Sequence, residues 1–414
     1  MGKIFKLIMH RILAAAIDTG RLRVVWPDGT STSYGPGPYP SAAISLRDDA
    51  TVRHIVLNPG LAVGEAYMDE RLVVLEGGSI HDVIAVMMAN LTGKTIPGLA
   101  WNNRIAWLVR RLRQANPAAK SRQNVAHHYD LNGRLYSLFL DRDRQYSCAY
   151  FARGDETLEE AQAAKKRHIA AKLLLDRPDL TVLDIGCGWG GMALTLARDF
   201  GARVTGITLS EEQLAAARGR AEAAGLSDRV EFKLMDYRDL NTQYDRIVSV
   251  GMFEHVGVPN YPVFFETVKR CLRPDGVAVL HSIGRLEGPD VTNPWIAKYI
   301  FPGGYSPALS EVLKPLEKSG LLVSDVEILR LHYAKTIAHW RRRFAANRDA
   351  IAALYDERFC RMFEFYLSGS ELTFRLADHM NFQIQLLRDK EAAPLTRDYM
   401  TDQERSIVFA EAAD

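Results

Sequence analysis

The stretch Val182-Leu183-Asp184-Ile185-Gly186-Cys187-Gly188-Trp189-Gly190-Gly191 decides how the rest of this sequence is read. An apolar run ends in Gly-x-Gly-x-Gly and passes into a helical pattern over 192–200. A strand that turns sharply into a helix needs glycine, because the turn uses backbone conformations that a Cβ resists. Glycine also lets a bound ligand approach the main chain closely. In open α/β sheets such ligands sit outside the carboxyl ends of the strands. Alone, the glycine turn is a weak signal that suits a dinucleotide equally well.

Working outward, apolar runs at 181–185, 203–207, 230–233, 244–250 and 276–281 alternate with helical patterns at 159–175, 211–224 and 261–271. That alternation predicts an α/β fold, a parallel sheet with helices on both faces. Asp184 precedes the first glycine by two residues. Further strands end at Asp236 and at Ser249-Val250-Gly251, and a loop Leu272-Arg273-Pro274-Asp275-Gly276 leads into the next. In combination these resemble the motif series of class I S-adenosylmethionine methyltransferases. The resemblance implies their Rossmann-like doubly wound sheet. One departure stands out: the second strand ends in Gly206-Ile207-Thr208-Leu209-Ser210, with no acid for the ribose hydroxyls. Thr208, Gln213 or the first-strand loop must supply the polar contacts. Glu211 and Glu212 read more simply as first-turn acids behind a Ser210 cap.

Five short stretches carry a narrower resemblance. They are Gln145-Tyr146-Ser147-Cys148-Ala149-Tyr150-Phe151, the glycine turn, Thr208-Leu209-Ser210-x-x-Gln213, Phe253-Glu254-His255-Val256-Gly257 and Ile300-Phe301-Pro302-Gly303-Gly304. Together, from about Asn124 to the C-terminus, they resemble the cyclopropane-fatty-acyl-phospholipid synthases, including the mycolic acid cyclopropane synthases. The implied reaction moves a methyl group from S-adenosylmethionine to a cis double bond of an acyl chain. The neighbouring carbon becomes a carbocation, a base removes a proton from the new methyl, and the ring closes. Such chemistry needs a dry apolar site, aromatic faces and one placed base. The family's base is a bound bicarbonate ion. Methyl or methylene branching of an acyl chain on the same scaffold is the closest rival. A degenerate, inactive lipid-binding domain and a small-molecule methyltransferase are weaker ones.

By the same resemblance, the bicarbonate site falls on the backbone amides of Cys148 and Ile283, with side chains from Glu254, His281 and Tyr333. Glu254 could instead be a helix-start acid, His281 a core histidine, and Tyr333 a strand-end aromatic. Cys148 is not read as a nucleophile. The cofactor would meet Tyr146 and Ser147 at its methionine moiety, Gly186 and Gly188 beneath it, and Thr208 and Gln213 at the ribose. Asp236, Tyr237 and Arg238 would meet the adenine. The family commonly carries Trp-Glu where this chain has Tyr237-Arg238, which puts side-chain contacts there in doubt.

The four cysteines, Cys148, Cys187, Cys271 and Cys360, form no CxxC pair and no Cys/His cluster. Neither a metal site nor a disulfide framework is expected, and a cytoplasmic setting follows. No apolar run approaches the roughly 20 residues needed to cross a bilayer. The N-terminus reads as an amphipathic helix with Ile4, Ile8, Ile12 and Ala15 on one face and Lys3, Lys6, His10 and Arg11 towards the other. It packs on its own domain or lies on a membrane surface. Between 83 and 129, Lys94, Arg104, Arg110, Arg111, Arg113, Lys120 and Arg122 occur with Trp101 and Trp107 and with no acid among them. This is a solvated basic linker, or a surface for anionic phospholipid headgroups. No nucleic-acid motif accompanies the charge.

The expected organisation is therefore a smaller α+β, lipid-associated domain at 1–98, with strand-like runs at 21–26, 43–46 and 52–57, a basic linker at 99–123 and a catalytic domain at 124–414. A helical insertion at about 337–379 holds Trp340 and the run Arg341-Arg342-Arg343. It is expected to act as a lid that meets headgroups. The expected partners are unsaturated phospholipid acyl chains and an anionic membrane surface, met peripherally at the inner membrane. A homodimer is kept open, and nucleic acid is not expected.

Overall fold

The structure, a computed structural model, describes residues 2–75, 77–91 and 133–411. The basic stretch from Lys94 to Arg122 lies outside the described residues. In chain order the strands are β1 (Arg21–Val25), β2 (Ser31–Tyr34), β3 (Ser41–Leu46), β4 (Leu72–Val74), β5 (Thr181–Ile185), β6 (Arg203–Thr208), β7 (Val230–Leu234), β8 (Tyr244–Val250), β9 (Leu272–Arg285), β10 (Leu322–Leu329) and β11 (His379–Leu387). The α-helices are α1 (Gly2–Ala16), α2 (Asp49–Leu57), α3 (Pro59–Met68), α4 (Ile80–Leu91), α5 (Gly133–Phe139), α6 (Leu158–Lys172), α7 (Gly191–Phe200), α8 (Glu211–Ala223), α9 (Tyr261–Cys271), α10 (Pro294–Tyr299), α11 (Leu309–Ser319), α12 (His332–Ala346), α13 (Arg348–Leu354), α14 (Glu357–Leu376) and α15 (Asp398–Glu411).

The chain divides into two units. One takes the described residues through 91 together with Val291–Pro302 and Ile337–Asp378. The other takes the described residues from 133 to Asp290, with Gly303–Thr336 and the chain from His379 onward.

The second unit is built on a seven-stranded sheet in the order β10-β11-β9-β8-β5-β6-β7. β5 pairs in parallel with both β6 and β8, β6 with β7, and β8 with β9, whereas β11 runs antiparallel to β9 and β10. This is the expected doubly wound sheet of the class I methyltransferase fold. Alternation along β5 sends Leu183 and Ile185 into a core with Phe253, Phe264 and Phe265. Val182 goes to the opposite core, with Ala193, Leu196 and Phe232. The chain leaves β5 for β6 and β7 on one side and returns to β8 and β9 on the other. The crevice of an open sheet lies at such a reversal.

The first unit has its own sheet, in the order β2-β1-β3-β4. Leu22, Val24, Ile44, Leu46 and Leu72 from its strands, with Trp26 just past β1, pack against Val52, Ile55, Val83 and Val86. Two sequence readings are corrected here. The run 52–57, read as strand-like, is the body of α2. The Asp48 carboxylate caps that helix by accepting from the Thr51 N–H at 2.8 Å, and Val52 and Ile55 bury one helical face. β-branched residues favour a strand only when no cap and no packed face oppose them. The amphipathic α1 forms, but on a different face. Met9, Leu13 and Ala16 are buried and Phe5 packs beside them, leaving Ile4 62% and Leu7 50% exposed.

The helical insertion supplies part of the same unit. Trp295 of α10 is buried, with its indole Nε1 3.3 Å from the Met68 Sδ and its ring edge-on to Phe365 at 4.7 Å. A Cβ on Gly64 would stand 2.4 Å from that indole nitrogen, which is why α3 has glycine there. Arg348 reaches Glu364 at 2.6 Å and Arg361 reaches Glu70 at 2.8 Å. Arg341, from the run in the insertion expected to meet headgroups, pairs with the buried Glu371 at 2.9 Å.

Candidate active site

A cleft of about 1220 Å³ opens outside the carboxyl ends of β5, β6 and β8. All nine residues expected at the cofactor line it: Tyr146, Ser147, Gly186, Gly188, Thr208, Gln213, Asp236, Tyr237 and Arg238. The turn after β5 carries φ of 84° at Gly186, 54° at Gly188 and 83° at Gly190, the left-handed region that L side chains resist. A Cβ on Gly190 would lie 2.6 Å from the Phe232 ring. The turn thus leaves open backbone facing the cleft. Tyr136 of α5 wedges behind it, with ring centroids 4.8 Å from Trp189 and 5.4 Å from Tyr146.

The polar ends of the cleft follow from local bonding. The Thr208 hydroxyl donates to the Gln213 Oε1 at 3.0 Å, and the Gln213 N–H donates to the Ser210 hydroxyl at 3.2 Å. The Ser210 cap read from sequence is therefore present, and Glu211 and Glu212 occupy the first turn of α8. At the β7 end the Asp236 carboxylate accepts from the Arg238 Nε at 2.8 Å and from its backbone N–H at 3.0 Å. The guanidinium also sits 5.5 Å from the Tyr237 ring. Arg238 is thus tied to Asp236, a local arrangement that a glutamate at 238 would not make.

None of the five residues expected at the reacting centre lines this cleft, though Cys148 and Glu254 adjoin the lining residues Ser147 and His255 in the chain. Glu254 follows β8, and its Oε1 accepts from the Ile283 N–H of β9 at 2.6 Å. That bond engages the amide expected to face bicarbonate. Its other oxygen is buried with no hydrogen-bond partner among the described residues, and burial pushes the carboxyl up to about 7. His281, also on β9, is fully buried, and burial drives its imidazole well below the ordinary histidine value, so it is neutral. The Gln383 amide nitrogen lies 3.0 Å from His281 Nδ1, and Asn381 lies 3.5 Å from its Nε2. Both neighbours present amide nitrogens, and a neutral imidazole has a single acceptor nitrogen, so the closer Gln383 is the one read as donating.

Cys148 is completely buried, and burial lifts its thiol far above the thiolate range. Its backbone N–H has no hydrogen-bond partner among the described residues. Next to it, the Ala149 N–H donates to the Thr336 hydroxyl at 3.0 Å. That bond ties the segment to the first turn of α12, where Tyr333 sits buried. Tyr333 is therefore a helix residue rather than a strand-end aromatic. An orphan amide donor, a carboxyl poised to hold or release its proton and a neutral imidazole suit a small oxyanion. The open glycine turn suits a nucleoside ligand. Among the described residues no group of His, Cys, Asp or Glu is arranged to hold a metal ion.

Several residues of the site were assigned no role by the motifs. Asp184 lines the cleft with one buried, unpartnered oxygen, and burial pushes it up to about 7. His255 lines it too, and burial takes its imidazole down to about 4. Both stand inside quoted motifs, and the signal was a polar residue in an apolar strand or turn. Gln162 and Lys165 of α6, and Asn381 and Gln383 of β11, emerge only from tertiary structure. Only buried polar residues on otherwise apolar faces could have hinted at them.

A family model described as "Mycolic acid cyclopropane synthetase" matches residues 117–384, and a domain model of unknown function, DUF7884, matches residues 8–94. The chain is 39% identical over 357 residues to a cyclopropane-fatty-acyl-phospholipid synthase of Escherichia coli, covering 84% of this chain and 89% of that protein. It is 36% identical over 396 residues to the tuberculostearic acid methyltransferase UfaA1 of Mycobacterium tuberculosis, covering 92% and 91%. Among solved structures, the mycolic acid cyclopropane synthase CmaA1 complexed with SAH and CTAB superimposes with a TM-score of 0.61 at 34% identity. That match covers 66% of this chain and 99% of that one.

Proposed function

The chain belongs to the mycolic acid cyclopropane synthetase family, and from that premise we propose that it builds a cyclopropane ring on an unsaturated phospholipid acyl chain, using S-adenosylmethionine. The reading is carried by one observation: the nucleoside cleft and the buried Cys148, Glu254 and His281 groups lie at the same end of one sheet. S-adenosylmethionine, when bound, supplies an electrophilic methyl group. The glycine turn lets it approach the backbone, Thr208 and Gln213 meet the ribose, and Tyr146 and Ser147 meet the methionine moiety. Tyr237 with the tied Asp236–Arg238 pair flanks the adenine.

The double bond forms a carbon–carbon bond to the methyl as the sulfur–carbon bond breaks. A C–H bond of that methyl then breaks, its electrons close the ring, and the proton leaves to a base. Bicarbonate fits as that base, held by the Cys148 N–H with Glu254, His281 and Tyr333. Ile283 acts one step back, by fixing Glu254. Exclusion of water protects the cationic carbon, and Tyr146 and Trp189 offer ring faces nearby.

Saturating methyl branching is the second reading, favoured by the relation to a tuberculostearic acid methyltransferase over 92% of this chain. Mass spectrometry of vesicle phospholipids after incubation with CD3-labelled cofactor separates the two. A ring gains CD2 and survives mild hydrogenation, whereas a methylene branch gains CD2 and is reduced; a saturated methyl branch forms only when a hydride donor is also supplied. No acyl gain at all refutes both.

Peripheral binding to an anionic membrane at the inner face is part of the proposal. No helix among the described residues is long and apolar enough to cross a bilayer. On α1 the exposed Ile4, Leu7 and Ile8 run beside the exposed Lys3 and Arg11, a face suited to the interface. Anionic liposomes should retain the protein, and reversing Arg110, Arg111 and Arg113 should release it. Equal retention of the reversed variant removes that segment from the membrane role.

A further inference from the structure

We propose that Lys165 is a positioning residue that supplies the positive charge behind the Cys148 amide and so makes this end of the site accept a small anion. The inference rests on the bicarbonate reading above.

Lys165 lies on α6 and is completely buried. Its ammonium donates to the Gln145 Oε1 at 2.6 Å and to the Ser147 hydroxyl at 2.8 Å. Among the described residues it has no carboxylate at ion-pair distance. Its neighbours differ. Lys166 pairs with Asp143 at 2.6 Å, and Lys172 pairs with Glu327 and with Asp325 at 3.7 Å. A buried charge held only by neutral oxygens is costly unless an anion completes its surroundings. Lys165 is that case in its direct contacts, with the Asp141 and Asp143 carboxylates acting on it only from beyond ion-pair distance.

One turn earlier on α6, the Gln162 amide donates to the Ser147 carbonyl at 2.9 Å and to the Gln145 carbonyl at 3.3 Å. A planar trans peptide directs its C=O and N–H to opposite sides. With the Ser147 carbonyl pinned towards α6, the Cys148 N–H points away from that helix. α6 therefore aims the donor through Gln162 and places a cation beneath it through Lys165.

The other groups assigned to the anion bring no positive charge. Glu254 is an acid, Tyr333 a phenol, and burial keeps His281 neutral. The field of Lys165 reaches Cys148, Asp184 and His281 alike, favouring the anion at the first two and disfavouring the imidazolium cation at the third. Asp143, the nearby ionised acid, is engaged by Lys166 and Arg220, and the Asp141 carboxylate accepts from the N–H groups of Asp143 and Gln145 at 3.0 and 2.8 Å.

The test uses the purified full chain on unsaturated anionic phospholipid vesicles in CO2-depleted buffer, with turnover followed against added bicarbonate. Lys165→Met removes the charge, and Lys165→Arg restores it. Lys165→Met is expected to raise the half-saturating bicarbonate about tenfold or more. Lys165→Arg is expected to stay within about threefold of wild type. If the methionine variant does not purify folded, Lys165→Gln, which also lacks the charge, takes its place. Wild-type turnover that ignores bicarbonate refutes the bicarbonate reading itself. A wild-type dependence that the neutral variant shares unchanged, or that arginine fails to restore, overturns the role of Lys165 alone. A purely structural lysine would lower turnover in both variants and leave half-saturation where it was.

Discussion

Replacing Glu254 by glutamine should inactivate the protein and, above neutral pH, stabilise it. The carboxyl is 8% exposed and pushed up to about 7 from an ordinary 4.5, chiefly because burial disfavours its charge. Between those two values the folded protein keeps a proton that the unfolded chain has released. The stability this group contributes is therefore fully present below pH 4.5 and is lost as the pH rises through about 7. At about 1.36 kcal/mol per pH unit, the whole excursion amounts to about 3 kcal/mol. Glutamine retains an oxygen to accept from the Ile283 N–H, now at 2.6 Å, and it never ionises. The variant should match wild type within about 1 kcal/mol at pH 4.5 and exceed it by about 2–3 kcal/mol at pH 8.5. Turnover should fall by about 10²–10⁴, the range for loss of a group that handles a proton. Urea unfolding of both proteins across this pH range isolates the group, since every other titration is common to them. Calorimetry with S-adenosylhomocysteine should return nearly unchanged affinity. A stability difference that does not vary with pH would show that Glu254 does not titrate as its burial dictates. Undiminished turnover would remove it from the reaction.

Cys148→Ser should keep turnover within about fivefold of wild type, because the thiol is held protonated and only the backbone is used; loss of all activity together with an isolable alkylated thiol would contradict this. Gln383→Met should remove the 3.0 Å donor to His281 and lower turnover about tenfold or more, with S-adenosylhomocysteine affinity unchanged by calorimetry. Equal loss of affinity and turnover would mean that Gln383 serves the cleft instead. Gly190→Ala should destabilise by about 2–4 kcal/mol in urea unfolding, since it adds a Cβ 2.6 Å from the Phe232 ring at a φ of 83°. A loss below about 0.5 kcal/mol would mean that the ring yields freely.

The sheet was legible because its strands are short apolar runs with glycine at the one turn where a ligand approaches. The cleft was legible for the same reason, since backbone turns and caps are local. What stayed hidden depends on pairings between distant segments. Nothing in Asn381 or Gln383 announces a histidine partner 100 or 102 residues away, and the link appears only when β11 lies antiparallel to β9. The same holds for Ile283. The resemblance offered its amide to an anion, yet in the folded chain Glu254 takes that amide. The inward face of α1 was misjudged because two apolar stripes compete on one helix. Phe5, Met9 and Leu13 won over Ile4 and Ile8, a choice that the shape of the opposing core makes and that periodicity cannot.

The charges of the buried centre make sense only when taken together. Two acids stand at the site, Asp184 and Glu254, and burial brings both to about 7, so near neutrality each is only partly ionised. His281 and His255 are held neutral. The imidazoles and amides then leave Lys165 as the buried charge without an ion-pair partner among the described residues. Were both acids firmly ionised, their repulsion would exclude a bicarbonate from the neighbourhood of the Cys148 amide. Were Lys165 paired like Lys166 and Lys172, its field would be spent on its partner. Near-neutral acids and one unpaired cation together leave room for a single negative charge. The same arithmetic sets a direction with pH. As the acids ionise above about 7, they come to compete with bicarbonate for the lysine's field, and burial brings Lys165 itself down to about 8, so its charge fades across the same range. Half-saturating bicarbonate should therefore rise between pH 7 and 9 in wild type, and rise less steeply in Lys165→Arg, whose guanidinium stays charged throughout that range.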